Sequence, residues 1–384
     1  MRIKGFFKDL GGFFRIKRLR KKAQEKASII IKDDEITNIA HSFHPGKIKG
    51  IVSDIKKETA SATRIKFKVD EVPLFYAGNY LTIELNINNH LVTRPYSIIT
   101  SPKKAYLTNE IEIIVKEEKD GYVSKYLNHD LKIDDEVILE IGLGSFNYDK
   151  YKDNKNILAI AGGVGITPFI AIAHDIIDRN LDINLTILYG CNKYSDLIAK
   201  EELDSFNDPR VKIIYVIDDI NYQGEKGFIN QEIIKKYLPE NPSIFFSGSI
   251  NMYNYVIKEL ESLEIDIRRI RKDYFPIKDI STNKDYPLEA YEKTFDIEVH
   301  QGLEIYHIKA LGKDNLAVSL EKAGLKIHTG CLSGACGFCR IKILKGDYFL
   351  PKENDYRRYS DKEFHYVHAC STYPLSDLVI KINI

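Results

Sequence analysis

The sequence has little cysteine, almost no net charge and no long hydrophobic run, and each shortage excludes a class of protein. Five cysteines in 384 residues do not make a disulfide scaffold, because four of them cluster near the C-terminal end. The formal net charge of +1 argues against nucleic acid as the partner. No apolar run reaches the roughly 18 residues of a membrane span. With 44% hydrophobic and 29% charged residues, the composition excludes a disordered, collagenous or coiled-coil protein.

The chain is too long for one hydrophobic core, so we expect two or three domains. Short β-type runs separated by Gly, Asn, Asp and Pro predict an antiparallel β-barrel over residues 47–150. Apolar strands that alternate with helices predict an α/β domain with a parallel sheet over 151–275. A polar linker over 276–292 and a small α+β domain over 293–384 follow. The predicted elements include a strand over Ser97–Thr100, a helix over Ser195–Phe206 and a strand over Ile265–Ile270.

Residues 1–46 form an N-terminal extension whose first 26 residues are strongly basic. This segment contains ten Lys and Arg residues and two acidic residues, which gives it a net charge of +8. Its aromatic and aliphatic residues recur near helical spacing. Such a segment can lie on an anionic membrane surface, and a solvated tail or a packed helix is the alternative. Charges interrupt its apolar positions, so a secretory signal is not expected. The predicted location is cytoplasmic, with peripheral membrane contact through residues 1–26 left open.

The strongest motif is a set of four cysteines, Cys331, Cys336, Cys339 and Cys370. Four thiolates can hold two irons and two sulfides, and the interleaved glycines let backbone amides point at the sulfurs. A Cys₄ zinc site is the alternative, but zinc ribbons usually carry two C-x₂-C pairs. His365 and His368 could form a Rieske pair, although four cysteines already fill the site. Cys191, far from the cluster, is expected to be a buried and inert thiol.

The C-x₄-C-x₂-C…C spacing, with Ser333 in the loop and His368-Ala369-Cys370 at the last cysteine, resembles a plant-type ferredoxin domain over 293–384. The resemblance implies a [2Fe–2S] cluster with the four cysteines as its ligands, in a β-grasp fold.

Two motifs in the β-rich domain predict a flavin site. Arg94-Pro95-Tyr96-Ser97 ends a strand, and Gly121-Tyr122-Val123-Ser124 begins a short helix. An arginine presents a fork to pyrophosphate, a tyrosine ring can lie against a flat heterocycle, and a serine hydroxyl can reach a ring nitrogen. A helix start offers amide donors to phosphate.

Together these motifs resemble the flavin domain of the ferredoxin–NADP reductase superfamily. The resemblance implies FAD, with Arg94 at the pyrophosphate, Tyr96 beside the isoalloxazine, Ser97 near its N5 atom and Pro95 as a further cofactor-binding residue. Gly121, Val123 and Ser124 would then surround the diphosphate. Phe275, at the end of the next domain, would cover the flavin face or simply pack.

The stretch Gly162-Gly163-Val164-Gly165-Ile166-Thr167-Pro168 follows the first apolar strand of the α/β domain. Its glycines let a phosphate approach the backbone and the helix start. The spacing is not that of the dinucleotide fingerprint G-x-G-x-x-G, so a standard Rossmann dehydrogenase is disfavoured. It resembles the nicotinamide domain of the same superfamily, which implies Gly162, Gly163, Gly165, Thr167 and Pro168 as nucleotide-binding residues. Ser247-Gly248 would form a second turn of this site, with Ser247 where many relatives have Cys.

The combined resemblance implies an NAD(P)H-dependent electron-transfer reductase. Hydride would pass from the nucleotide to FAD near Ser97 and Thr167, and single electrons would pass through the cluster to a protein partner. NADH is favoured over NADPH because no arginine follows the second α/β strand until Arg210. An oxygenase, a desaturase or a hybrid-cluster protein are the acceptors to consider. A redox-sensing or relay subunit of a larger complex, without turnover of its own, is the alternative function.

Overall fold

The computed structural model describes residues 3–30, 46–87, 90–118, 121–263, 265, 270–275 and 280–382. Side chains of 3–9, 24–30, 90 and 274–275 lie outside that description. The chain divides into two units, 1–46 and 47–384. In the first unit one helix, α1, spans Ile3–Ile30. No helix in the described ranges is both long and apolar enough to cross a bilayer.

The second unit begins with a six-stranded antiparallel barrel. Its strands are β1 Ile48–Thr59, β2 Ala62–Val69, β3 Tyr80–Ile87, β4 His90–Ser97, β5 Glu110–Lys116 and β6 Glu136–Leu143. The order is β4-β3-β6-β1-β2-β5, and an antiparallel bridge between Ile98 and Ile113 joins the two ends. Two helices, α2 Pro102–Thr108 and α3 Tyr122–His129, lie between the strands in sequence. Inward-facing residues such as Ile65, Phe67 and Leu81 are fully buried, as alternating strands around one core require.

A six-stranded parallel sheet follows. Its strands are β7 Asn156–Gly162, β8 Asn184–Cys191, β9 Val211–Ile217, β10 Glu225–Lys226, β11 Ser243–Ser249 and β12 Ile270–Phe275. The order β10-β9-β8-β7-β11-β12 reverses at β7, so this is a doubly wound sheet with its ligand edge at the carboxyl ends of the strands. The helices are α4 Thr167–Asp178, α5 Lys200–Ser205, α6 Gln231–Tyr237 and α7 Ile250–Glu261. The core beside α4 continues into barrel residues Ala62, Ala77 and Phe146.

The last part is an α+β domain. Strands β13 Thr294–Gln301, β14 Glu304–Leu311, β15 Arg340–Lys345, β17 Tyr366–His368 and β19 Leu378–Ile382 form one mixed sheet, and β16 Tyr348–Phe349 pairs with β18 Tyr373–Pro374. Helix α8, Leu316–Lys322, packs on this sheet, and α9 spans Tyr359–Glu363. The described part of the expected linker is not free: Ile280, Tyr286 and Ala290 are buried against Tyr373.

The predicted fold classes are confirmed, and three predicted elements are wrong in extent. The strand expected at Ser97–Thr100 lies earlier, at His90–Ser97, because Ser101 caps a helix by accepting from the Lys104 amide at 3.2 Å. The helix expected over Ser195–Phe206 is a 3-10 turn followed by α5. It breaks where Ala199 has φ +54° and donates its amide to Glu58 of the barrel. The strand expected at Ile265–Ile270 begins only at Ile270, and residues 266–269 lie outside the described ranges.

Candidate functional site

The expected flavin motif Arg94-Pro95-Tyr96-Ser97 forms the last four residues of β4. Ser97 is opposite Tyr80 of β3, and the Tyr96 ring is packed against the barrel core. Burial raises the pKa of the Tyr96 phenol. The positive charge of Arg94 opposes this increase, and the negative charge of Glu118 adds to it. The phenol therefore lies within electrostatic range of both Arg94 and the segment that leads into α3.

The start of α3 is the second expected flavin element. Gly121 precedes the helix, and Val123 and Ser124 are buried in its first turn. The Ser124 hydroxyl accepts a hydrogen bond from the Glu118 amide at 3.1 Å, and a Cβ atom on Gly121 would lie 2.2 Å from that hydroxyl. The N-cap residue Gly121 has no side chain with which to cap α3, and the amides at a helix start are hydrogen-bond donors. These donors suit a phosphate group, and the residues fit a flavin dinucleotide.

The expected nucleotide turn runs from the end of β7 into α4. Gly162 ends the strand, a 3-10 turn follows from Gly163, and Pro168 stands in the first turn of the helix. Gly163 has φ +54°, a left-handed conformation that favours glycine. A Cβ atom on Gly165 would lie 2.1 Å from the Ser247 carbonyl oxygen, so the turn lies directly against β11.

Ser247 and Gly248 lie against this glycine turn, and their contact with a nucleotide stays a prediction. The Ser247 hydroxyl is fully buried and has no hydrogen-bond partner within the described part of the chain. Because buried hydroxyls are nearly always paired, this orphaned group at the ligand edge of the sheet fits a polar ligand such as a nicotinamide dinucleotide.

For two of the expected site residues, Thr167 and Phe275, the contact with a cofactor stays a prediction. Thr167 is 2% exposed, and its hydroxyl donates to the Val164 carbonyl at 2.8 Å, which stabilises the turn. Its contact with the nicotinamide stays a prediction. Phe275 ends β12 opposite Ser249, but its side chain lies outside the described residues.

A lysine that the motifs did not single out lies at the same turn. Lys116 ends β5 of the barrel, and its Nζ is 4.0 Å from the position of a Cβ atom on Gly163. Its charge also acts on Cys191, which is partly exposed rather than buried as expected and whose thiol pKa is raised by its partial burial. No ion pair of Lys116 occurs in the described ranges, so the ammonium can meet a phosphate. The sequence marks Lys116 only as the end of a strand.

The cysteine loop orders two of its thiols through backbone amides. The Ser333 and Cys336 amides donate to Cys331 Sγ at 3.4 and 3.3 Å, and the Cys331 amide donates to Cys336 Sγ at 3.5 Å. The hydrogen bond with the Cys336 thiol, followed by those from the Ser333 and Cys336 amides, lowers the pKa of the Cys331 thiol against the opposing effect of burial. Amides that point at sulfur stabilise thiolate, the form that binds metal.

The four thiols form two pairs, Cys331 with Cys336 and the buried Cys339 with Cys370. Among the described residues, no three His, Cys, Asp or Glu side chains converge as ligands of one ion. A tetrahedral zinc site would bring all four thiols to one point, whereas a two-iron cluster takes two thiolates on each iron. The arrangement therefore fits the [2Fe–2S] cluster better than zinc.

Contacts from outside the loop hold it in shape. The buried His368 donates from Nδ1 to the Gly334 carbonyl, and Asn354 donates to the Ser333 carbonyl at 3.3 Å. Leu332 has φ +53°, a strained backbone for a residue with a side chain. His368 is thus a buried clamp on the loop. In the sequence, the position of His368 two residues before the last cysteine was the feature that singled it out.

The cysteine loop lies near both upstream parts of the second unit. Burial, followed by the charges of Cys331 and Cys336, raises the pKa of Tyr80 in the barrel. Burial, followed by the charge of Cys331, raises the pKa of Asp273 in β12 to about 6. The Cys331 thiol therefore interacts electrostatically with a strand of the flavin domain and with a strand of the nicotinamide domain. Tyr80 and Asp273 carried no chemical signal in the sequence.

Comparison with known protein families matches three models in the same order. They are an oxidoreductase FAD-binding domain over residues 49–148, an oxidoreductase NAD-binding domain over 159–258 and a 2Fe-2S iron-sulfur cluster binding domain over 307–375. The chain therefore carries an FAD-binding, an NAD-binding and a 2Fe-2S domain, the composition of a ferredoxin reductase-like protein. This reductase binds FAD, a [2Fe–2S] cluster and a nicotinamide dinucleotide, and it is an NAD(P)H-dependent oxidoreductase that passes electrons to a partner.

Several relatives resemble the reductase over most of its length. The glycine betaine monooxygenase reductase subunit of Chromohalobacter salexigens is 25% identical over 345 residues, covering 85% of this chain and 92% of the relative. The NADH oxidoreductase HCR of Escherichia coli is 23% identical over 336 residues, covering 86% and 96%. The solved structure of phthalate dioxygenase reductase has the same fold, with a TM-score of 0.66 at 17% identity, covering 88% of this chain and 98% of that one.

Proposed function

We propose that this reductase oxidises NADH and supplies electrons one at a time to the oxygenase subunit of a multicomponent oxygenase. The observation that carries the proposal is the direct contact between the ferredoxin-like domain and the flavin barrel, where Glu321 of α8 accepts two hydrogen bonds from Arg94 of β4. The charge of Cys331 also acts on Tyr80 of the barrel and on Asp273 of the nicotinamide sheet. The similarity to a monooxygenase reductase subunit over most of both chains supports an oxygenase as the acceptor.

The residues divide the task among three places. When bound, FAD accepts two electrons from the nicotinamide and the iron–sulfur cluster carries one at a time. Arg94 and the first turn of α3 hold the flavin phosphates, while Tyr96 and Ser97 orient its ring. The turn Gly162–Thr167, with Ser247 and Lys116, holds the nucleotide, and the four cysteines hold the cluster.

NADH is the proposed donor because the strand end that would meet a 2′-phosphate carries little available positive charge. Past Cys191 at the end of β8, Lys193 is exposed and Asp196 follows it. Arg210 lies at the opposite edge of the sheet, before β9, where it donates to Asp208 and the Leu181 carbonyl. A 2′-phosphate calls for cationic donors, so we expect kcat/KM for NADH to exceed that for NADPH at least tenfold.

The electron path is tested by anaerobic titration of the purified protein, followed by turnover with two artificial acceptors. NADH should bleach both flavin and cluster absorbance. Cys336→Ser should abolish cytochrome c reduction and keep ferricyanide reduction, because ferricyanide can take electrons from flavin. Cytochrome c reduction at the wild-type rate by the cluster-free variant would refute the proposed path. A chain that shows no turnover with either acceptor would instead be a relay subunit.

The acceptor class is tested with purified partners. The reduced protein is mixed anaerobically with the oxygenase subunit of a glycine betaine monooxygenase and, separately, with a hybrid-cluster protein, and the rate of each partner's reduction is measured. Faster reduction of the oxygenase subunit supports the proposal. Preference for the hybrid-cluster protein would overturn it and leave the electron path intact.

We also propose that α1 binds an anionic membrane surface. Residues 10–23 of this helix are exposed throughout, including Phe13 at 61% and Phe14 at 57%. Arg15, Lys17 and Arg18 follow directly. Aromatic side chains beside basic ones suit the headgroup region of anionic lipid, where each Lys or Arg contributes about 1 kcal/mol.

Sedimentation with lipid vesicles tests the membrane proposal. The full chain should bind vesicles that contain phosphatidylserine and not vesicles of phosphatidylcholine alone, and salt should weaken the binding. The double variant Phe13→Ser/Phe14→Ser should reduce binding, whereas Leu303→Ser, an exposed apolar residue of the last domain, should not. Equal binding to both vesicle types, or none, would contradict the proposal.

A further inference from the structure

The ferredoxin-like domain holds the arginine that is proposed to bind the flavin phosphates. Arg94 Nη1 and Nη2 donate to the two carboxylate oxygens of Glu321 in α8, both at 2.9 Å. Both side chains are largely buried, with 22% and 10% exposure. A second and weaker contact crosses the same interface, where Lys326 Nζ lies 3.6 Å from a Glu84 carboxylate oxygen.

The guanidinium has capacity for a second anion. Of its five N–H donors, two are directed to Glu321 and one to the Thr93 carbonyl at 2.8 Å. The Nε–H and one Nη2–H have no partner within the described part of the chain. The pair with Glu321 is bidentate, a geometry that fixes the guanidinium plane. Glu321 therefore sets the direction of the two donors that remain.

Helix α8 also connects Arg94 to the cluster loop. The Leu316 amide at the start of α8 donates to the Thr372 carbonyl at 2.8 Å, directly after the turn that contains Cys370. At the other end of the same helix Glu321 binds Arg94. One short helix thus lies between a proposed flavin-phosphate ligand and a proposed cluster ligand.

We propose that Glu321 is a positioning residue that orients Arg94 for the FAD pyrophosphate and couples FAD binding to docking of the ferredoxin-like domain on the barrel. The inference rests on the proposed role of Arg94 in the flavin site. Because such coupling is reciprocal, FAD stabilises the contact between α8 and β4, and loss of Glu321 weakens the hold on FAD.

The first measurement is the rate of FAD release from the full-length holoprotein, followed by the fluorescence of free flavin after dilution. Hydrogen bonds to charged groups are strong enough for Glu321→Gln to accelerate release about tenfold. Glu321→Asp, which keeps the charge on a shorter side chain, should restore part of the loss. Lys326→Gln removes the other contact of the same interface without touching Arg94, and release should remain within about twofold of wild type.

The second measurement is hydrogen–deuterium exchange in peptides of α8 and β4. Removing FAD from the wild type should increase exchange in both peptides, and in Glu321→Gln this FAD dependence should disappear. Unchanged FAD release in Glu321→Gln, or slower release because the carboxylate competes with FAD for Arg94, would overturn the inference.

Arg94→Ala separates the two levels of the argument. If Arg94→Ala leaves FAD release unchanged, the proposed role of Arg94 in the flavin site fails. If Arg94→Ala accelerates release and Glu321→Gln does not, only the positioning role fails. In the double variant, Glu321→Gln should add nothing to Arg94→Ala, since its effect acts through Arg94. Additive effects would refute the coupling.

Discussion

Acidification of a partly buried ion network between the barrel and the α/β domain gives a quantitative test of the fold. Glu202 of α5 accepts a hydrogen bond from Arg64 of β2 and is 2.6 Å from His174 Nε2 of α4. Arg64 also donates to Glu58 at 2.6 Å and to Glu112 at 3.0 Å. One guanidinium therefore joins carboxylates from both domains.

The stabilisation follows from the pKa of the Glu202 carboxyl. Burial alone would raise it, but hydrogen bonds from His174 and Arg64, together with the Arg64 charge, lower it from 4.5 to about 2. This difference between unfolded and folded chain corresponds to about 3 kcal/mol of stability. Because the folded pKa is depressed, the stabilisation is fully present above pH 4.5. It falls to about 1 kcal/mol at pH 3 and is lost as the pH drops through the folded value.

The perturbation is Glu202→Gln, and the assay is thermal unfolding followed by far-UV circular dichroism from pH 8 to pH 3. We expect the variant to melt about 6–12 °C below wild type at neutral pH, with a constant difference down to pH 5 that narrows by pH 3. Asp296→Asn is the matched control, since its pair with Lys309 is exposed. Equal melting temperatures at pH 7, or a difference that widens on acidification, would refute the reasoning.

Three further predictions concern the site. Gly165→Ala should destabilise the protein by about 1–3 kcal/mol and raise KM for NADH, because its Cβ would meet the Ser247 carbonyl at 2.1 Å. Gly163→Ala, whose added Cβ would meet only the Lys116 ammonium at 4.0 Å, should show the backbone cost of about 1–2 kcal/mol alone, so a larger loss of stability at Gly163 than at Gly165 would contradict the packing argument. Cys336→Ser should remove the cluster absorbance and leave the flavin spectrum, and iron content at the wild-type level would show that the ligand is misassigned. Lys116→Ala should raise KM for NADH about tenfold, as expected for loss of a charge-assisted hydrogen bond, with little change in kcat measured by ferricyanide reduction; an unchanged KM would place the phosphate elsewhere.

Local motifs predicted much of the redox site because their chemistry depends on residues that are near in sequence. The cysteine spacing places two amides on the Cys331 sulfur within one loop. The glycine turn after β7 needs only a strand, a φ +54° residue and a helix start. The same holds for the ends of β4 and the start of α3, where the residue types themselves suit phosphate and an aromatic ring.

Element boundaries failed where distant contacts overrode the local pattern. The helix expected from Ser195 is interrupted at Ala199, whose amide donates to Glu58, 141 residues earlier. Lys116 reaches the nucleotide turn only because β5 and β7 belong to domains that share a core. Glu321 reads as a surface residue of an amphipathic helix, and its pairing with Arg94 spans 227 residues. No periodicity or spacing encodes such pairs.

The sequence by itself indicated the order of the three domains and, through the family resemblance of its motifs, FAD, a [2Fe–2S] cluster and a nicotinamide dinucleotide, because each motif lies within a few residues. The tertiary structure alone decided how those sites meet. It placed Cys331 near Tyr80 and Asp273, and it set Glu321 against Arg94. These contacts depend on how complete domains pack, and packing is decided by shape and charge over whole surfaces rather than by neighbours in the chain.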